Sequence, residues 1–336
     1  MPPAAVAPRR SPVVVVTGAS SGVGRAIARR LGGRGARVGL IARGVTGLLA
    51  TRAEIESSGG EAMVLPLDVA DAGAVDTAAE LVVERWGHID VWINNAMVSV
   101  FAPVAQVTAE EYRRVTEVTY LGTVHGTCAA LRHMRRRDRG TVLQIGSALA
   151  YRSIPLQSAY CAAKAAIRGF TDSLRCELDH DHSGIRVQML QLPAVNTPQF
   201  DVVRNKLGKH AQPVPPIFQP ELIADAVEYA LAHPRRERWI GASTIAAIVG
   251  ERLFPGLLDR YLARKAWDAQ TTDELPPHAR DNLEEPLELN LGAHGAFDPE
   301  AHANSVAWWL RTHAAPFVAA GAAALVGLGA YAWSRR

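Results

Sequence analysis

The chain reads as an α/β protein built on a doubly wound parallel sheet, and three observations predict this. From Val13 onward, short apolar runs alternate with helical patterns, as in a sheet whose two faces are both covered by helices. The first run ends directly in a glycine-rich turn, "TGASSGVG" at 17–24, which opens a helix. The 336 residues, 48% of them hydrophobic, suffice for one large domain with extensions and exclude a chain disordered throughout.

Strands are expected at 13–18 ("VVVVTG"), 37–42 ("RVGLIA"), 62–69 ("AMVLPLDV"), 89–96 ("IDVWINNA"), 140–147 ("GTVLQIGS") and 185–193 ("IRVQMLQLP"), with helices between them. After the sixth strand the rhythm breaks. Residues 198–220, "PQFDVVRNKLGKHAQPVPPIFQP", are rich in proline and read as a mobile flap over the open end of the sheet. A helix near 220–232 and a short strand near 238–242 complete the domain by about residue 250.

This divides the chain into a disordered lead (1–12), the α/β domain (13–250), a polar extension or linker (251–313) and an apolar segment (314–333). The lead lacks the apolar core of a signal peptide. Within the extension, residues 268–300 carry nine acidic side chains against one arginine, with several prolines and little periodicity. The segment "AAPFVAAGAAALVGLGAYAW" has no charge in twenty positions, and as a helix of about 30 Å it would cross a bilayer. Trp308 and Trp309 precede it and Tyr331 and Trp333 close it, as interfacial aromatics do. The expectation is a transmembrane helix holding the folded domain at the cytoplasmic side; the alternative is an Ala-rich helix packed on the domain or a partner.

A net charge of +3 from 36 basic and 33 acidic residues leaves no broad footprint for nucleic acid. Cys128, Cys161 and Cys176 have neither metal-ligand spacing nor even pairing, which suits structural thiols in a reducing compartment and no metal.

Gly18, Gly22 and Gly24 let a backbone approach a pyrophosphate, and the helix they open offers free N–H groups and the positive end of its dipole. The end of the second strand should meet the adenosine ribose, where an acid binds the 2′-hydroxyl and a basic residue accommodates a 2′-phosphate. Here Ala42 is followed by Arg43, whose planar, permanently charged fork favours NADP over NAD. In "SAYCAAKAAI", Tyr160 and Lys164 stand at i and i+4 and project from one helix face.

With these motifs the sequence resembles the short-chain dehydrogenase/reductase family over residues 13 to about 250, in the form with T-G-x-x-x-G-x-G and Y-x-x-x-K. The resemblance rests on "TGASSGVG", Asp68 and Val69, "NNA" at 94–96, Ser147, Tyr160 and Lys164. It implies a Rossmann-like fold and hydride transfer between NADP(H) and a carbonyl or secondary alcohol. By resemblance the coenzyme is held by Gly18, Ser20, Ser21, Gly22, Val23, Gly24, Asp68, Val69, Asn94 through its backbone, Ala96, Pro193, Val195 and Thr197, together with Tyr160 and Lys164. Tyr160 is the expected general acid and base, and Ser147 orients the substrate oxygen. A phenol with pKa near 10 suits neutral pH poorly; holding it about two pKa units lower asks roughly 2.7 kcal/mol of Lys164 and the positive nicotinamide ring.

Three departures stand out. The family's asparagine on the helix before the fifth strand is replaced by Thr119 in "EVTYLG", whose hydroxyl would have to hold the proton-relay water. N-N-A-G reads "NNAM", placing Met97 in the cleft, and the P-G after the sixth strand reads Pro193 and Ala194. The cleft is expected around Met97, Leu149, Ile154 and Leu156, which suits a hydrophobic substrate. The partners expected are therefore a small-molecule substrate, a membrane through the C-terminal segment, and a further copy of the chain in a homo-oligomer. Two other readings are a catalytically weak NADP-binding, membrane-associated protein, with Thr119 as its argument, and an interaction module at 251–336 anchored by the enzyme-like domain.

Overall fold

The structure is a computed structural model that describes residues 11–277 and 280–313. Seven strands form one parallel sheet: β1 (Val13–Thr17), β2 (Arg37–Ala42), β3 (Glu61–Pro66), β4 (Val91–Asn94), β5 (Gly140–Ile145), β6 (Ile185–Gln191) and β7 (Glu237–Trp239). Their order across the sheet is β7-β6-β5-β4-β1-β2-β3. The direction of strand addition reverses between β1 and β4, so a crevice opens above their C-terminal ends, where ligands bind in open α/β sheets.

The continuous apolar runs are explained by burial on both faces. Side chains alternate along a strand, so Val13 and Val15 join one core layer while Val14 and Val16 join the other. The first layer packs against α3 (Ala72–Trp86), α5 (Gly122–Met134) and α6 (Ser158–His180); the second packs against α1 (Gly22–Gly33), α2 (Val45–Ser57) and α8 (Pro220–Ala232). α4 (Ala109–Val115) runs through a π-helical turn, Thr116–Leu121, into α5.

The expected second strand, 37–42, is observed with the same bounds, and the other five of the first six overshoot by one to three residues at their C-terminal ends. The surplus residues, among them Gly18, Asp68, Ala96 and Ser147, have left the ladder and form the loops above it. The 198–220 segment is pinned rather than free-standing. It contains the short helix α7 (Gln199–Val202); Arg204–Asn205 pairs with Val100–Phe101, and Ile217–Phe218 pairs with both Ala194–Val195 and Ala301–His302.

The largest difference from expectation lies beyond residue 250. α9 (Ala242–Leu253) and α10 (Pro255–Lys265) pack beside the crevice, and residues 281–298 return across it as a strap. This stretch has no periodicity because its backbone, rather than an apolar stripe, makes many of its contacts. Among the described residues no helix is long and apolar enough to cross a membrane; the segment 314–333 lies outside them, as do residues 1–10 of the expected lead.

Candidate active site

The glycine-rich turn is shaped by what its neighbours forbid. Gly18 has φ +69°, and a Cβ there would come within 2.8 Å of Asn95 Nδ2 and 2.9 Å of Ala96 Cα. At Gly24 an added Cβ would collide with the Gly18 carbonyl oxygen. Thr17 ties the turn to the β4 loop: its Oγ1 accepts from the N–H groups of Asn95 (2.9 Å) and Ala96 (3.0 Å). The result is bare backbone at the N-terminus of α1, facing a cavity of about 670 Å³.

Ser147, Tyr160 and Lys164 meet at the same cavity. Ser147 leaves the end of β5; its N–H donates to Gln191 Oε1 at 2.8 Å, and its Oγ accepts from the Leu149 N–H at 3.1 Å. Tyr160 and Lys164 come from the first turns of α6, and Lys164 Nζ lies 5.7 Å from the Tyr160 ring centroid. Lys164 is 4% exposed and donates to the Ile145 carbonyl at 2.7 Å; burial brings its ammonium down from 10.5 to about 8. Burial also pushes the Tyr160 phenol well above its ordinary value, opposed in part by a hydrogen bond with Ser147. In the chain alone, desolvation therefore outweighs the lowering expected from Lys164, and the phenol is held as a neutral acid.

The other expected residues divide into two groups. Gly18, Ser20, Ser21, Gly22, Val23, Arg43, Asp68, Val69, Ala96, Pro193, Val195 and Thr197 line the cavity. Gly24 shapes the turn from behind. Asn94 turns its side chain into the core, where Nδ2 donates to Thr127 Oγ1 (3.0 Å) and Gln144 Oε1 (2.9 Å) and Oδ1 accepts from Trp92. The expectation for Asn94 concerned its backbone; Asn95, next in the chain, lines the cavity. Thr119 is fully buried in the π-helical turn; its hydroxyl donates to the Val98 carbonyl (3.0 Å) and accepts from the Val98 N–H (3.1 Å). Its neighbour Val118 lines the cavity. Leu156, expected in the cleft, is buried away from the lining.

Two acidic and basic groups expected at the adenosine end already have partners in the chain. Asp68 forms an ion pair with Arg114 and accepts from the Ala70 N–H at 3.0 Å. Arg43 donates to the carbonyls of Asn282, Leu283 (3.2 Å) and Glu284 (2.6 Å) in the strap. Farther along, Asn290 Oδ1 accepts from Arg25 at 2.6 Å, and the Gly292 carbonyl accepts from the Gly22 N–H at 3.0 Å. Asn282, Pro286, Leu287 and Leu291 of the strap line the cavity.

At the other end the wall is largely apolar, with Met97, Leu149, Ile154, Phe200, Leu258 and Leu262. Sequence reasoning missed α10 and the strap because it placed the domain boundary near 250. The signal available was the amphipathic spacing of Leu258 and Leu262 at i and i+4.

A cavity running from a backbone-lined turn to half-buried Tyr160 and buried Lys164 and Ser147 fits a nicotinamide dinucleotide: the turn excludes side chains where a pyrophosphate would approach, and a phenol stands farther along. The comparisons with known proteins agree. Residues 12–208, more than half of the chain, match the short-chain dehydrogenase family. An uncharacterised oxidoreductase of Bacillus subtilis (strain 168), YxnA, is 32% identical over 327 residues, covering 96% of this chain and 90% of that one. A fatty acyl-CoA reductase of Acinetobacter baylyi is 33% identical over 228 residues, 67% of this chain and 74% of that one. Among solved structures, an alcohol dehydrogenase from Thermococcus sibiricus complexed with 5-hydroxy-NADP is 30% identical, with a TM-score of 0.60 over 68% of this chain and 96% of that one. The chain belongs to the short-chain dehydrogenase family. It is an oxidoreductase of that family, with a Rossmann-like fold and a nicotinamide coenzyme.

Proposed function

We propose that the protein transfers hydride between NADP(H) and a hydrophobic carbonyl or secondary alcohol. The observation that carries this is the convergence of Ser147, Tyr160 and Lys164 on a cavity that begins at the glycine-rich turn and ends in an apolar wall. Gly18, Ser20, Ser21, Gly22, Val23 and the loops at Ala96 and Pro193–Thr197 hold the dinucleotide, with Arg43 at its 2′-phosphate. The bound coenzyme supplies the hydride and, when oxidised, a positive ring beside the phenol. Ser147 Oγ donates to the substrate oxygen and holds it towards Tyr160. In reduction, Tyr160 Oη gives its proton to that oxygen as the carbonyl carbon gains hydride; in oxidation the phenolate takes the proton back. Lys164, protonated below about pH 8, stabilises the phenolate and orients the ribose.

NADP is supported by Arg43 at the end of β2 and by the coenzyme in the Thermococcus sibiricus structure. An apolar substrate is supported by the wall around Met97 and Leu258, and by the name of the Acinetobacter baylyi relative. Residues 314–333 then serve as a membrane anchor, a reading that rests on their composition alone. The test is a rate screen of the full chain in detergent, pairing NADPH with aldehydes and ketones of increasing alkyl length and NADP+ with the matching alcohols. Turnover should rise with chain length. A protein that binds NADPH but reduces none of the series would be the catalytically weak binder.

A further inference from the structure

A 2′-phosphate at the end of β2 would draw on Arg43 and the first-turn N–H groups of α2, and the protein's own strap occupies both. The two terminal nitrogens of Arg43 are taken by three successive strap carbonyls, those of Asn282, Leu283 and Glu284. Four residues later the Glu288 carboxylate sits on the N–H groups of Val45 (3.4 Å) and Thr46 (3.1 Å), an anion where the phosphate would place one. Between these contacts Pro286 and Leu287 line the coenzyme cavity. The segment is anchored on its N-terminal side by Asp281 on Arg204 (2.9 Å), the Asn282 N–H on the Val202 carbonyl (2.8 Å) and buried Leu283. Glu288 itself is exposed.

We propose that Glu288 is a coenzyme-specificity residue: the strap competes with the 2′-phosphate, so NADP(H) binds with the 284–288 segment displaced, whereas NAD(H) leaves that segment in place. This rests on the NADP(H) reading above and deepens it. Competition at Glu288 is specific to the phosphate, because NAD(H) carries a neutral hydroxyl there. The Gly292 contact with Gly22 lies at the pyrophosphate end and concerns both coenzymes alike.

The test uses the full chain and its Glu288→Gln, Glu288→Asp and Arg43→Ala variants. Dissociation constants are measured by calorimetry for NADPH, NADH and 2′,5′-ADP, and amide hydrogen exchange is followed across 281–292. Glu288→Gln should tighten NADPH and 2′,5′-ADP about two- to fivefold, the range one carboxylate at a helix N-terminus is worth, and leave NADH unchanged. Glu288→Asp, which keeps the charge, should behave as the parent. NADPH, but not NADH, should speed exchange in 284–288. Equal effects of Glu288→Gln on both coenzymes, or protection of 284–288 by NADPH, would overturn the proposal while leaving NADP(H) as coenzyme. If Arg43→Ala weakens neither NADPH nor 2′,5′-ADP, the coenzyme reading falls and the competition falls with it.

Discussion

Tyr160 and Lys164 show how much a single buried group is asked to do. The two are held on one face of α6 by their spacing, and both are displaced from their ordinary protonation behaviour by burial. Tyr160→Phe keeps the ring and removes the acid, so turnover should vanish while the NADPH dissociation constant stays within about twofold. Measurable residual reduction would move the proton donor elsewhere. Lys164 also makes stability depend on pH, with a definite sign. Below about pH 8 it is charged in both states and burial penalises the folded one; between about 8 and 10.5 the folded state releases the proton that the unfolded chain retains. Stability should therefore rise through that window, by about 3 kcal/mol, and the gain is lost as pH falls from about 10.5 back to 8. Urea unfolding of the coenzyme-free protein at pH 7–10 should show this slope, and Lys164→Met should flatten it.

The π-helical turn between α4 and α5 places its residues differently from an ordinary helix. It turns Val118 to the cavity and sends Thr119 into a clamp on both polar groups of Val98. Thr119 was expected to hold a relay water; in the fold its hydroxyl is used for holding the β4 loop against the helix. Thr119→Val preserves the shape and leaves a buried N–H and carbonyl unpaired, a loss of about 1–3 kcal/mol. The urea midpoint should drop accordingly, with NADPH affinity changing less. If stability holds but turnover collapses, the hydroxyl belongs to the proton relay after all.

Across the whole molecule, the parts on either side of residue 250 form one cavity. α10 walls the apolar end, and the strap crosses the coenzyme end. The apolar segment follows at 314–333, beyond the described residues. With the segment present, the protein should resist both high-salt and alkaline carbonate washing of membranes. A chain ending at residue 313 should appear in the wash, whereas equal release of both would rule out an integral anchor.

The sequence by itself determined the alternation of the main sheet strands and helices up to about residue 240, the glycine turn, and the Tyr160 and Lys164 pair, because each depends on spacing over a few residues. Period-two and period-3.6 patterns set which face a side chain takes, and a strand followed by glycines leaves the backbone few choices. Tertiary structure alone decided that Asn95 rather than Asn94 faces the cavity, that Thr119 faces Val98, and that Arg43 meets the strap. The first turns on the buried hydrogen bonds of Asn94 to Thr127 and Gln144, the second on a π-helical turn, and the third on contacts some 240 residues apart, as between Arg43 and Leu283. The strap left little trace in the sequence for a further reason: its bonds to Arg43 and Gly22 come from backbone carbonyls, which every residue type supplies.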